Sequence, residues 1–239
     1  MGRIDLSVTK IEDKKLLLEF LEQYLSHERK QRFEEVLKLR TRHIVAAAED
    51  IYQERNASAL IRTADCFGIQ DVHIIENYNK YKLSEGIAKG ADKWIDVNLY
   101  DGAGKNTERC IKALREKGYR IVAASPHNND YNPDEIDITK KLAIFFGGEK
   151  EGLSMIVSEE ADTFLKIPMS GFTESFNLSV AGGIILYALT KRLRESGISW
   201  QLTEEEKDEL RLKWTYNSIK RPEKLIAKFM EMKNEKRMQ

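Results

Sequence analysis

Residues 142–154 read LAIFFGGEKEGLS, five apolar residues followed at once by a glycine-rich run and a Leu-Ser pair. A short apolar run bounded by glycines reads as a strand buried on both faces, the kind that fills a parallel sheet. A helix is expected to open after Ser154, so the stretch is a strand, a turn and a helix. Gly147 and Gly152, with Ser154 beyond, mimic the spacing of a phosphate loop. That loop needs a lysine directly before its Ser/Thr to reach the β- and γ-phosphates. Leu153 stands there, and Lys150 lies inside the turn, so nucleoside triphosphate hydrolysis is excluded. What remains is a backbone turn able to approach a flat ligand closely, with Glu149 in its middle. A purely structural tight turn has the same sequence.

Working outward, strands are expected at 43–48 (HIVAAA), 71–76 (DVHIIE), 119–124 (YRIVAA) and 163–167, the last stopping at Pro168. Between them helices are expected at 57–67, with Asn56 as N-cap and Gly68 as its stop, and at 106–117. The polar stretch 78–93 reads as loop with a short helix, and 126–133 as a Pro/Asn-rich loop. A long helix at 176–194 has Leu178, Ala181, Gly182, Ile185, Leu186 and Leu189 on one face, and Ser175 as a plausible cap. Strands alternating with helices predict an α/β fold, a doubly wound and mainly parallel sheet. Apolar spacing at 16–25 and 32–39 predicts two N-terminal helices. Thr203 with Glu206 forms a capping box opening a helix to about residue 214, and a basic helix follows Pro222. The expected division is an N-terminal helical extension (1–42), a sheet domain (43–198) and a C-terminal basic extension (199–239).

The 239 residues are 41% hydrophobic and 33% charged, which suits a core within a well-solvated surface. No apolar run approaches the roughly 18–20 residues of a membrane span. Residues 1–15 carry scattered charge and no apolar segment of a secretory leader. Cys66 and Cys110 are too few for a disulfide framework and point to a reducing cytoplasm. No ligand spacing suggests a metal site. Net charge is zero, yet its distribution is uneven: residues 211–239 hold nine Lys/Arg against three Asp/Glu, and 27–42 hold six against three. Residues 43–210 hold 20 against 28. Phosphate binding answers to local potential, so Arg29, Arg32, Arg40, Arg42, Arg211, Lys213, Lys220 and Arg221 are candidate contacts to nucleic-acid phosphates. The interleaved Trp200, Trp214, Tyr216 and Phe229 fit helix packing better than base stacking.

Three segments carry the chemistry: NASALIRTADCFG (56–68), the turn 147–154, and IPMSGFTESFNLSVA (167–181). In family order across about half the chain, they resemble the three motifs of the SpoU/TrmH branch of the SPOUT RNA methyltransferases. The resemblance implies a C-terminal deep trefoil knot whose loops hold S-adenosylmethionine through Ala124, Ser125, Gly147, Gly148, Ile167, Met169, Ser175, Phe176 and Leu178. It implies a homodimer and assigns function to Asn56, Arg62, Glu149, Ser175 and Asn177. Phe176 departs from the family's usual leucine, and the Gly182-Gly183 pair from its alanine-rich helix. The implied reaction is methyl transfer to a ribose 2'-hydroxyl. The terminal extensions favour tRNA, and there the D-loop guanosine. Ribosomal RNA, or a catalytically silent RNA-binding protein on the same fold, are the alternatives.

Overall fold

The structure, a computed structural model, describes residues 11–128, 130–148 and 151–237. It divides into two compact units, Arg40–Gln201 and the pair Met1–Leu39 with Leu202–Gln239.

The larger unit is a six-stranded, wholly parallel sheet. In chain order its strands are β1 (Ile44–Glu49), β2 (Asp71–Ile75), β3 (Asp96–Tyr100), β4 (Arg120–Ala124), β5 (Leu142–Phe146) and β6 (Thr163–Leu165). Across the sheet they lie β3-β2-β1-β5-β4-β6. Ile44 pairs with Leu142 and Ala46 with Val72, so β1 and β5 run side by side at the centre. Both are buried along their whole length, which is why they read as unbroken apolar runs.

Alternation along the strands builds two cores. Ile44, Ala46, Ala48, Val72, Ile74, Ile144 and Phe146 face α3 (Glu54–Cys66) and α7 (Leu178–Glu195) through Leu60, Ile61, Ala64, Ile185, Leu186 and Leu189. Val45, Ala47, Ile121, Ala143 and Phe145 face α5 (Asn106–Glu116) and α6 (Met155–Glu160) through Cys110, Ile111, Leu114 and Val157. Between β2 and β3 lies the short helix α4 (Glu85–Ala88), with a 3-10 turn at Ala91–Lys93.

α3 starts at Glu54, with Gln53 extended before it, so Asn56 sits in the first turn and is not its cap. The stop at Gly68 is as expected. With φ +76° it lets its own N–H reach the Asp65 carbonyl and that of Ile69 the Ala64 carbonyl, the paired bonds of a left-handed helix end. β6 is shorter than expected, and β3, at the edge, was not expected. Its face alternates polar Asp96 and Asn98 with Val97 and Leu99, and none of its residues is fully buried.

The smaller unit holds α1 (Ile11–Glu22), α2 (His27–Leu37), α8 (Glu204–Ser218) and α9 (Pro222–Arg237). Leu17, Leu18, Leu21 and Leu212 form its core, and Phe33 meets Trp214 edge-on at 5.5 Å. The Thr203–Glu206 capping box is made in full. The two N-terminal helices begin earlier than the apolar spacing suggests, α2 because Ser26 caps it at Arg29.

Candidate active site

After β1 the chain passes to α3 on one face, and after β5 to α6 on the other. The carboxyl ends of two adjacent central strands therefore diverge, opening the crevice where ligands bind in open α/β sheets. All three motif segments reach it: the first on α3, the second as the β5–α6 turn, the third as the approach to α7.

The third segment corrects one expectation. Asn177, not Ser175, caps α7, its Oδ1 accepting from the Ser179 N–H at 2.9 Å and the Ser179 hydroxyl at 2.6 Å. Its Nδ2 donates to Asn56 Oδ1 at 3.3 Å, linking residues 121 positions apart. Asn56 is buried, and its own Nδ2 has no hydrogen-bond partner among the described residues. An orphaned buried donor beside a crevice fits a ligand acceptor there. Ser175 and Phe176 are exposed, two residues and one before the cap.

Arg62 lies nearly two turns beyond Asn56 and is exposed, and among the described residues it makes no hydrogen bond or ion pair. Glu149 lies outside the described residues.

The turn after β5 is built by close approach. A Cβ on Gly147 would run into the backbone of Gly152 and Leu153. Gly152 adopts φ +69° and donates to the Gly148 carbonyl at 2.9 Å. The chain then enters α6 at Ser154, whose hydroxyl accepts from the Val157 N–H. Glu49, the last residue of β1, was missed by the sequence reading. It is 2% exposed, and accepts the Ser154 N–H and hydroxyl, both at 2.8 Å, and the Thr107 hydroxyl at 2.6 Å. Its only signal was a lone acid ending an apolar strand.

The remaining cofactor candidates sit on neighbouring strands, since β5, β4 and β6 are adjacent. Ala124 ends β4 and Ser125 follows it, with the Ser125 N–H on the Leu165 carbonyl at 3.0 Å. Ile167 and Met169 follow β6 and are half-buried, while Leu178 is buried at the start of α7. Ala124, Ile167 and Leu178 belong to one apolar cluster. Three glycine, alanine or apolar loop ends on adjacent strands suit a flat, uncharged ring system, such as a nucleoside base, held by backbone and apolar contact.

Burial pushes His73 of β2 down to about 4 and the Cys110 thiol of α5 up to about 12. Both face the α5 side of the sheet and neither lies in a motif segment, so neither is a general base for this crevice.

The candidate RNA contacts divide. Arg40 is 2% exposed and ion-paired with Asp65, and it donates to the Ile69 carbonyl. It braces the fold and is not reachable by a phosphate. Arg42 bridges Asp71 and Asp96 at 2.9 and 2.8 Å, and Arg211 is held by Glu34 and Asp208. Arg29, Arg32, Lys220 and Arg221 are exposed, and Lys213 is half-buried.

Residues 43–187 match the sequence profile of the SpoU rRNA Methylase family. A tRNA (guanosine(18)-2'-O)-methyltransferase of Borreliella burgdorferi is 44% identical over 84% of this chain and 90% of its own length. Among solved structures, the A. aeolicus TrmH/SpoU tRNA modifying enzyme superposes with a TM-score of 0.71 at 34% identity, covering 81% of this chain and 98% of that one. The SpoU methyltransferase AviRb of Streptomyces viridochromogenes, solved with AdoMet, shares the fold at 20% identity and TM-score 0.54, over 68% of this chain and 62% of that one. With its profile match across the sheet and relatives aligned nearly end to end, the chain belongs to the SpoU rRNA methylase family.

Proposed function

We propose that this chain transfers a methyl group from S-adenosylmethionine to the 2'-hydroxyl of a ribose in RNA, the D-loop guanosine of tRNA. The reading is carried by the convergence of the three motif segments on one crevice, where Asn177 reaches Asn56. It is supported by the 44% identity to a tRNA (guanosine(18)-2'-O)-methyltransferase. Ribosomal RNA is the second reading, favoured by the family's own description.

When bound, S-adenosylmethionine supplies an electrophilic methyl on a sulfonium. In-line displacement then depends on positioning. Gly147, Gly148, Ala124, Ser125, Ile167, Met169, Phe176 and Leu178 are proposed to hold it through backbone and apolar contact, with Ser175 at the mouth. Asn56 and Asn177 orient the ribose or Arg62. Arg62 clamps the phosphate beside the target ribose and stabilises the developing alkoxide. A guanidinium with a pKa above about 12 is not the base, so the 2'-hydroxyl proton leaves to that phosphate or to water. Glu149 is proposed to hold the loops or Arg62.

Arg29, Arg32, Lys220 and Arg221 are proposed as phosphate contacts, their exposure supporting that role. A homodimer belongs to the same reading, supported by the exposed stripe Val180, Ile184 and Tyr187 along α7. So does the trefoil knot, supported by the return of α7 from the β6 edge to pack on α3. A cytoplasmic setting is supported by the unpaired Cys66 and Cys110. Among the described residues, no helix is long and apolar enough to cross a membrane.

The test is methylation of tRNA and rRNA transcripts with labelled S-adenosylmethionine, followed by nucleoside analysis. Label in 2'-O-methylguanosine from tRNA is expected, label confined to rRNA moves the substrate, and no label from either overturns the reading. Arg62→Ala and Arg62→Lys are both expected to lose about 100-fold or more in turnover, since lysine lacks the planar fork. Near-full turnover by Arg62→Lys would remove the clamp.

A further inference from the structure

The segment joining β2 to α4 has an arrangement that neither sheet packing nor cofactor binding explains. Its residues alternate. Asn79, Tyr81 and Leu83 turn inward, with Tyr81 and Leu83 packed on the α3-side core. Tyr78, Lys80 and Lys82 turn outward, and Tyr78 is 93% exposed.

The backbone beneath them is pinned. Asp50, held at φ +52°, accepts the N–H groups of Asn77, Tyr78 and Asn79 on one carboxylate oxygen at 3.1, 2.8 and 2.7 Å. The Asn79 side chain donates back to the Asp50 carbonyl at 3.1 Å. Glu76 accepts the Tyr81 N–H at 2.7 Å, and Asn77 donates to the Thr107 hydroxyl at 3.0 Å. The far end is fastened by the Ser84 N–H on the Ser58 hydroxyl at 2.9 Å. Ser58 is two residues from Asn56 and one helical turn from Arg62. A non-glycine residue in the left-handed region is strained, and such strain concentrates at functional sites. Here it fixes an exposed aromatic ring and two cations beside the crevice.

Sequence-specific and single-stranded RNA binding pairs aromatic faces for unstacked bases with cations that follow the backbone. Tyr78 stands on the bend that Asp50 pins, and Lys80 and Lys82 follow it on the stretch that leads to Ser84, with all three side chains exposed. Resting on the RNA methyltransferase reading, we propose that residues 76–84 are an RNA-contact loop: Tyr78 stacks on an unpaired base of the substrate, and Lys80 and Lys82 hold the adjoining phosphates. Tyr52, 71% exposed and two residues from Asp50, flanks the same anchor.

The test uses the full chain, a tRNA transcript and a short unstructured oligoribonucleotide, measuring RNA affinity, salt dependence and methyl transfer. Tyr78→Ala is expected to weaken both RNAs about tenfold and raise KM for tRNA, with kcat at saturating RNA within about twofold of wild type. Tyr78→Phe keeps wild-type affinity. Lys80→Ala with Lys82→Ala lowers the salt slope by about 1.4. S-adenosylmethionine affinity and melting temperature stay unchanged in all three, which separates RNA contact from a structural role. If the wild type methylates RNA while Tyr78→Ala and the lysine pair leave RNA affinity unchanged, the loop proposal fails alone. If the wild type neither binds nor methylates RNA, both it and the underlying reading fall.

Discussion

Glu49 shows how much one side chain carries here. Its carboxylate accepts the Ser154 N–H and also takes the Ser154 and Thr107 hydroxyls. Glu49→Gln replaces one acceptor oxygen with a donor facing those hydroxyl donors. The expected cost is about 1–3 kcal/mol, read as a lower denaturation midpoint, with weaker S-adenosylmethionine binding because Ser154 anchors the turn. His73 sets a pH dependence. Burial, and then the charge of Lys117, lower its pKa from 6.5 to about 4 in the folded chain. Above pH 6.5 both folded and unfolded chains hold it neutral. Between 6.5 and 4 only the unfolded chain takes the proton, so stability falls as pH falls, by about 3 kcal/mol at pH 4. Denaturant titrations of wild type and His73→Gln across that window are expected to converge as pH drops. At this scale the motif residues were named through resemblance alone, and of them the structure joins Asn56 to Asn177. Glu49 was not legible in the sequence, because its partners lie 58 and 105 positions away, and Arg40 misled, because local charge does not disclose that it is buried against Asp65, 25 positions on.

Among elements, α7 was read correctly as long and one-faced, but its paired glycines looked like a plain loss of about 1 kcal/mol each in helix stability. The structure separates them. A Cβ on Gly182 would stand 2.7 Å from Leu60 Cδ1, inside the packing of α7 on α3, whereas one on Gly183 meets nothing within 4 Å. Gly182 is thus the close approach that lets α7 seat on α3, and through it sets Asn177 against Asn56. Gly182→Ala is expected to cost about 1–3 kcal/mol through overpacking against the buried Leu60, set against about 1 kcal/mol gained in helix propensity, for a small net destabilisation. Thermal unfolding of Gly182→Ala, Leu60→Ala and the double variant measures this: because the two atoms meet, the double variant should cost clearly less than the sum. β3 escaped the sequence reading for the opposite reason. As an edge strand it buries little, and Asp96 and Asn98 blunt the apolar signal that exposed β1 and β5.

On the scale of the whole molecule, local pattern gave the elements and their parallel character but neither strand order nor the union of the two ends. The expected separate extensions form one compact unit, because the apolar faces of α1 and α8, nearly the length of the chain apart, complete each other at Leu17, Leu21 and Leu212. The same logic of incomplete faces applies to α7. One side is spent on α3, yet Val180, Ile184 and Tyr187, at i, i+4 and i+7, remain 48%, 37% and 55% exposed. An apolar stripe left exposed on a helix whose other side is already buried in the core marks a candidate contact surface. A second copy of the chain would cover it and bring a partner close to the cap at Asn177, where the proposed ribose site lies. Ile184→Glu places a charge at the middle of that stripe. On the proposed dimer it is expected to halve the mass seen by size-exclusion chromatography with light scattering, with methyl transfer falling alongside. A dimer that survives Ile184→Glu unchanged would assign the stripe no part in assembly. A monomer with full transfer would mean that each subunit completes its own site.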